Sequence, residues 1–464
     1  MRLVNRWQNW LFRLVIGLLF VIGSLAFCLE PVESLPYTLQ PFYASYQQKI
    51  NALAHIPLPA TQDSCFKAGW AQESILPSLP TPIAGYTPRD AYTSVRDTPC
   101  VKVLVLRLGQ QKVALVSIDL LIFPPNVHQL LADSLRSTSW DISELYVGAT
   151  HTHSGMGGWA DGMLGRFMAG AYQDNLPRFL VQKIMLALRR AEQHTRLAEL
   201  SMAQCYASDL LNNRISSKPY ETFGLLQTLE IKQDKGEKAL WCVFGAHATC
   251  LSRHSLALCA DYPAVLSQEL KQKAKASMVG FMAGAVGSQN PNEFGLKDFE
   301  LIDALGKKIA QQVHTSLQTK TKIKPSRLHL AQLPLGRVPL RLRLSENWQL
   351  RSWIFDRMAA SQSAQISVLA LGDWLWLGYP ADFSGALAAQ LWAELSESEQ
   401  RVVFTSFNGA YLGYVVPDHY LKRYERHETR EMNWIGGQTG SLWLYLSRAL
   451  IQQNTKKQSL NDTK

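Results

Sequence analysis

Short apolar runs rich in β-branched residues recur along the chain at Val101–Leu108, Val113–Phe123, Glu144–Gly148, Leu240–Phe244, Met278–Met282, Ile366–Leu371, Trp374–Gly378 and Val402–Phe407. Runs of this length with little polar alternation predict strands buried on both faces. Between them lie stretches with helical spacing, such as Pro177–His194, where Phe179, Leu180, Ile184 and Leu188 recur with Arg and Lys between them, and Leu301–Leu317. Buried strands separated by helices predict an α/β protein. The expected architecture is a single large domain with a mixed, mostly buried sheet flanked by helices.

The N-terminus is different. Residues 14–28, LVIGLLFVIGSLAFC, carry no charge, with Arg2, Arg6 and Arg13 before them and Glu30 after. The run is longer than a typical signal-peptide core and shorter than the roughly 20 residues that span hydrocarbon, but Trp10–Phe12 can extend it past Arg13. Ser24-Leu25-Ala26 has the small-x-small form of a cleavage site, so residues 1–30 read as a membrane anchor or as a cleaved signal. Both readings put the rest of the chain outside the cytoplasm, because the positive flank stays inside. Residues 31–63, with five prolines and a helical pattern at Tyr43–Ala54, read as a spacer, residues 64–451 as the domain, and 452–464 as a polar tail, with Leu442–Gln452 as the last helix.

Composition narrows the class. The chain of 464 residues is 47% hydrophobic and 10% aromatic, which excludes a disordered or coiled-coil protein. Its 18% charged residues fall below the usual share of about 25%, as expected of a large buried core beside an apolar segment. The formal charge of +10 suits an anionic membrane surface. Nucleic acid is not expected, since no basic helix, stacking motif or zinc-finger module is present. Six cysteines follow Cys28, and outside the cytoplasm one or two disulfides are expected, with buried thiols as the alternative.

The unusual residues cluster just after the apolar runs. Glu144–Gly148 leads to His151-Thr152-His153-Ser154-Gly155, Leu240–Phe244 to Gly245-Ala246-His247, and Met278–Met282 to Gly287-Ser288-Gln289-Asn290-Pro291-Asn292. Trp374–Gly378 leads to Tyr379-Pro380-Ala381-Asp382, and Val402–Phe407 to Asn408 through Tyr414. Ligand sites in α/β sheets lie beyond the carboxyl ends of strands, so these five loops are expected to form one crevice and to make the protein an enzyme. His151 and His153, two apart in an extended segment, can face one side and suit zinc; a polar turn with one capping histidine is the alternative. A second grouping, His247, Cys250, His254 and Cys259, has the residue types of a structural zinc site, with a Cys250–Cys259 disulfide or buried thiols competing.

These loops carry a resemblance. GATHTHSGMGG at Gly148–Gly158 resembles the GTHTHSGPGG signature of the neutral/alkaline non-lysosomal ceramidase family. In the same order, PTPIAGYTPR, VALVSIDLL, FGAHAT, FMAGAVGSQNPN (against GDVSPN), YPADFS (against PGEFTT) and NGAYLGYVVPDHYLKRYE resemble further family segments, from about Ala68 to Leu450. The resemblance implies one catalytic zinc held by His151, His247, Asp382 and Tyr414. It also implies that His153 faces the substrate or the developing oxyanion, and that Arg214, in Asn212-Asn213-Arg214, assists catalysis. The implied reaction is hydrolysis of the N-acyl bond of ceramide or a related N-acyl lipid by a zinc-activated water. A soluble amide or peptide substrate, or an inactive binding protein of the same fold, are the alternatives, and no partner protein is implied.

Two positions depart from the family pattern. Asp382 replaces Glu with a carboxylate one methylene shorter, and Asn290 stands at a serine position, where it can donate a hydrogen bond to a carbonyl or oxyanion. Ser288 and Ser154 are expected to make local backbone bonds. The β-sandwich that follows the catalytic domain in longer members is expected to be absent.

Overall fold

The computed structural model describes residues 2–32, 36–40, 43–54, 65–87, 89–359, 363–396 and 400–462. Parts of the expected spacer (33–35, 41–42 and 55–63) and the end of the tail (463–464) therefore lie outside the described residues.

Two sheets stack face to face. The larger has nine strands, and along its main path they run in the order Met278–Ala283, Lys238–Phe244, Leu225–Gln233, Arg196–Tyr206, Phe66–Ser74, Cys100–Leu108, Gln111–Ile118 and Leu145–Ala149. The smaller runs Leu328–Arg337, Ser363–Leu371, Trp374–Gly378 and Val402–Thr405. Side chains alternate across a strand, and the sequence uses both sides. Leu104, Leu106, Leu115, Tyr146 and Trp241 of the large sheet meet Leu369, Leu371, Trp374, Trp376 and Val403 of the small one. Val103, Val105, Ala114 and Val116 turn the other way, toward Leu180, Ile184 and Leu188 of the helix Asn175–Gln193. On the outer face of the small sheet, Leu375, Leu377 and Phe404 belong to the same core as Leu387, Leu391, Trp443 and Leu446 of the last two helices. The result is a mixed α/β domain of helix, sheet, sheet and helix layers. The expected large buried sheet is present, and the second sheet against its inner face is an addition.

Within the two sheets three strand pairs are parallel: Gln111–Ile118 with Leu145–Ala149, Lys238–Phe244 with Met278–Ala283, and Trp374–Gly378 with Val402–Thr405. Each pair is joined through one helix, Pro125–Leu135, Tyr262–Lys273 or Gly385–Glu394. A parallel pair needs such a crossover, and its two carboxyl ends emerge on the same edge. The first run, expected to stay extended to Phe123, leaves the strand at Ile118, and residues 119–123 form a buried loop. The last run likewise ends at Thr405. The final helix is longer than expected, Thr439–Asp462. The expected disulfides do not form, and Cys242, Cys250 and Cys259 are buried thiols.

The two sheets are tied together at this edge by polar side chains. The hydroxyl of Tyr146 lies 2.6 Å from that of Thr405, which donates to Oδ1 of Asn408 at 2.9 Å, and Nδ2 of Asn408 donates to the carbonyl of Val147 at 2.6 Å. All are buried, so truncation leaves desolvated groups unpaired. Asn408→Ala is expected to destabilise the fold by about 2–3 kcal/mol, read as a lowered midpoint of thermal unfolding. An unchanged midpoint would show that the bridge does not hold the sheets together.

Candidate metal and active site

The parallel pairs deliver their loops to one place, and backbone contacts between the loops set the register. Thr152 bridges to Ala248, with the amide of His153 donating to the carbonyl of Ala248 at 3.1 Å, so the His151 and His247 loops run side by side. Gly287 bridges to Ser384, which joins the loop supporting His247 to the segment carrying Asp382. Asp382 and Tyr414 are direct partners in a short parallel ladder, so their side chains leave on one face. Gln289 locks the junction: its Nε2 donates to the carbonyls of Gly245 (2.9 Å) and Ala285 (3.0 Å), and its Oε1 accepts from the amide of Phe223 at 2.6 Å. A Cβ at Gly385 would lie 2.2 Å from this amide group, so only glycine fits there. His151, Ser288 and Phe407 hold φ of 61°, 64° and 66°, strain of about 1–3 kcal/mol each concentrated at these loops.

Both buried histidines are fixed through Nδ1. That of His151 lies 2.6 Å from the carbonyl of Leu121, and that of His247 lies 2.9 and 3.0 Å from the carbonyls of Val286 and Gln289. A carbonyl only accepts, so the proton sits on Nδ1 and the Nε2 lone pair faces the site. Phe407 stacks on the His151 ring at 4.0 Å. The two Nε2 atoms lie 3.6 and 3.5 Å from Oδ1 of Asp382. That oxygen is fully buried and has no hydrogen-bond partner, whereas Oδ2 accepts from Tyr411 at 2.6 Å. The Tyr414 hydroxyl lies 3.0 Å from Nε2 of His247, and Nε2 of His153 lies 3.2 Å from that of His151. Burial pushes the pKa of His151 down to about 3, with Asp382 opposing, and holds His153 and His247 well below the ordinary histidine value. Burial also raises Asp382 and Tyr414 above their usual ranges.

The Nε2 lone pairs of two neutral imidazoles and a buried carboxylate oxygen face one another, and none of these three atoms offers a proton to the others. A cation satisfies all of them at once. Ligands about 2.0–2.2 Å from a tetrahedral ion sit roughly 3.3–3.5 Å apart, close to these separations. His151, His153 and His247 by themselves place three nitrogen ligand atoms within 4.8 Å of one another, a spacing that suits a metal ion. The competing Cys/His grouping does not assemble: His254 is exposed, and the thiol of Cys259 donates to Asp97 at 3.1 Å.

The remaining expected residues fall around this centre. Arg214 donates to the Tyr414 hydroxyl (3.2 Å) and to Oδ1 of Asn290 (3.1 Å), and its Nε lies 2.7 Å from buried Glu428. Burial works to raise the pKa of Glu428, but Arg214 and His427 hold it below the ordinary value. Oδ1 of Asn290 accepts from Arg214, and the residue lines an adjoining cavity of about 380 Å³. Ser154 and Ser288 do not make the expected backbone bonds; their buried hydroxyls have no partner among the described residues. Tyr411 and Glu428 carry no motif that marks them in sequence, although Tyr411 lies inside the NGAYLGY segment. A cavity of about 420 Å³ opens above His151, His153 and Asp382, its wall mostly apolar (Tyr86, Leu121, Ile122, Phe167, Met168 and Met432) but with Arg253, His427 and Glu431 also in the lining.

Two stacked sheets with a histidine cluster at their strand ends define an α/β protein with a candidate metal centre under an apolar-walled cavity. The family model described as neutral/alkaline non-lysosomal ceramidase, N-terminal, matches residues 99–223. The fold is similar to the crystal structure of neutral ceramidase from Pseudomonas aeruginosa, at 14% identity and a TM-score of 0.69, covering 87% of this chain and 75% of that one. It is equally similar to a structure described as ceramidase complexed with C2, at 14% identity and a TM-score of 0.69, covering 86% and 76%. No curated protein matches the sequence. The chain is thus similar to the neutral/alkaline non-lysosomal ceramidases, in sequence over residues 99–223 and in fold across its core.

Tyr411→Phe leaves Oδ2 of Asp382 without its donor, and loss of such an outer partner typically weakens metal affinity about 10–100-fold. A competition titration with a chromogenic chelator is expected to show a loss in that range. Wild-type affinity in this variant would remove Asp382 from the metal centre.

Proposed function

We propose that the protein is a zinc-dependent amide hydrolase that acts outside the cytoplasm and cleaves the N-acyl bond of ceramide or a related N-acyl lipid. The observation that carries this reading is the convergence of two backbone-fixed histidine lone pairs on an unpartnered, buried carboxylate oxygen beneath an apolar-walled cavity. His151, His247, Asp382 and Tyr414 are the proposed ligands. Asp382 is supported in this role although shorter than Glu, since Oδ1 already lies within 3.6 Å of both imidazoles.

Zinc supplies Lewis acidity at such a site, polarising an amide carbonyl and bringing the pKa of a water to about 7. The chain's own groups do the rest. His153, beside His151 and facing the cavity, is placed to hydrogen-bond the amide oxygen or to carry a proton to the leaving nitrogen. Arg214, held by Glu428, orients the Tyr414 hydroxyl, and Asn290 orients Arg214 in turn. Water adds across the C–N bond and leaves a carboxylic acid and an amine. The apolar wall favours a hydrocarbon substituent over a charged peptide, and 420 Å³ lies toward the small end of the roughly 300–1,000 Å³ typical of ligand pockets. The amide and the first parts of its chains therefore occupy the cavity.

His247→Ala is expected to abolish both stoichiometric zinc and hydrolysis of a fluorescent ceramide, whereas His153→Ala keeps zinc and loses about 10²–10⁴ in turnover. Full activity in His247→Ala would refute the ligand set, and zinc lost from both variants would make His153 a ligand. Faster cleavage of soluble N-acyl amino acids than of ceramide would move the substrate class away from lipids.

A further inference from the structure

The apolar N-terminal helix is built into the domain rather than loosely tethered to it. The helix runs Arg2–Cys28, and its described side chains from Trp10 to Phe27 are all exposed. Trp10–Cys28 is long and apolar enough to cross a membrane. Nineteen residues at about 1.5 Å each span roughly 28 Å, close to a hydrocarbon core of about 30 Å. The strand Leu29–Pro31 begins at the next residue and pairs antiparallel with Trp348–Leu350. The amide of Arg351 donates to the carbonyl of Cys28 at 3.0 Å, its Nε donates to that of Leu29 at 3.1 Å, and Glu30 pairs with Arg341 at 2.5 Å. Phe27, still on the helix, packs against Trp353 at 5.0 Å between ring centroids. No slack separates the end of the span from the folded domain.

The domain surface at that junction is apolar and leads to the cavity. Trp348 and Trp353 are 49% and 42% exposed. The helix Ser352–Ala359, which carries Trp353, packs against the helix Gly162–Ala169, where Met163 and Phe167 are 57% and 54% exposed. Phe167 and Met168 wall the cavity above His151 and His153. Arg357 lies over the Trp353 ring at 5.7 Å, an aromatic and a cation side by side as at a headgroup layer. Exposed large apolar side chains grouped in this way mark an interaction surface, and the adjoining span names its occupant.

We propose that the face formed by Trp348, Trp353, Met163 and Phe167 rests in the headgroup layer of a lipid bilayer, so that the cavity opens onto lipid and an N-acyl lipid enters without crossing water. The contact follows from the retained helix and the apolar face; only the entry route rests on the lipid-amidase reading.

The full-length protein is reconstituted in vesicles of phosphatidylcholine or of its chain-brominated form, and tryptophan emission is compared between wild type and W348F/W353F. Bromination is expected to quench less emission in the variant, because two quenched tryptophans are gone. An equal loss in both proteins would overturn the proposal, as would an intact mass lacking residues 1–28 in the membrane fraction. In a second arm, M163E/W353E is expected to cleave bilayer-embedded fluorescent ceramide about tenfold more slowly while leaving a water-soluble short-chain N-acyl substrate unaffected. Equal rates on bilayer ceramide would count against the entry route. Wild type inactive on every amide would refute the lipid-amidase reading instead, and the quenching result would still decide the contact.

Discussion

Hydrogen bonds from two imidazole Nδ1 atoms to backbone carbonyls govern this molecule. A neutral histidine can rotate and can carry its proton on either nitrogen; those of His151 and His247 are allowed neither freedom, because the carbonyls of Leu121, Val286 and Gln289 fix ring and tautomer together. Those carbonyls sit on loops that leave the same parallel pairs as the histidines themselves, so sheet geometry dictates where each lone pair points. The strained backbone at His151 and Ser288, the fully bonded amide of Gln289 and the absence of a side chain at Gly385 all maintain these loops. The unpartnered oxygen of Asp382 is the point on which they converge.

The site was more legible in the sequence than the scaffold, for a physical reason. Functional loops follow strand ends, and the apolar runs before His151, His247, Asp382 and Tyr414 are strands with one buried composition throughout. The strands that escaped notice have mixed faces. Leu225–Gln233 buries Gln227, Thr228 and Glu230 in the middle of the large sheet, with Glu230 answered by Lys238 of the adjoining strand and Lys320 of a distant segment. Arg196–Tyr206 buries only Leu200–Ala203, between exposed and half-buried ends. No local pattern shows that Trp374 and Trp376 face a second sheet, since alternation reveals two faces but not what covers them. The run through Phe123 has the pattern of a strand to its end because burial in a loop and burial in a sheet select the same residues. Tyr411 and Glu428 act through Asp382 and Arg214, and their roles exist only in three dimensions.

The departures from the family pattern find local answers. Asp382 reaches both imidazoles despite its shorter side chain, and Tyr411 closes off its other oxygen. Asn290 offers Arg214 a carbonyl oxygen, which gives the guanidinium a third partner beside Tyr414 and Glu428. With no disulfide between Cys250 and Cys259, the loops after His247 are held by Asp261 instead, whose carboxylate accepts from the amides of Cys250 and Tyr262.

Strand Leu29–Pro31 gives the chain a mechanical property that a flexible stalk would lack. With the edge strand paired and no residue between it and the helix, the attitude of the domain and the lean of the helix are one degree of freedom. Helices longer than the local hydrocarbon thickness accommodate by leaning. On the proposed docking, a thinner bilayer would therefore roll the domain about its docked edge, so that membrane thickness would change the angle at which the cavity meets the surface.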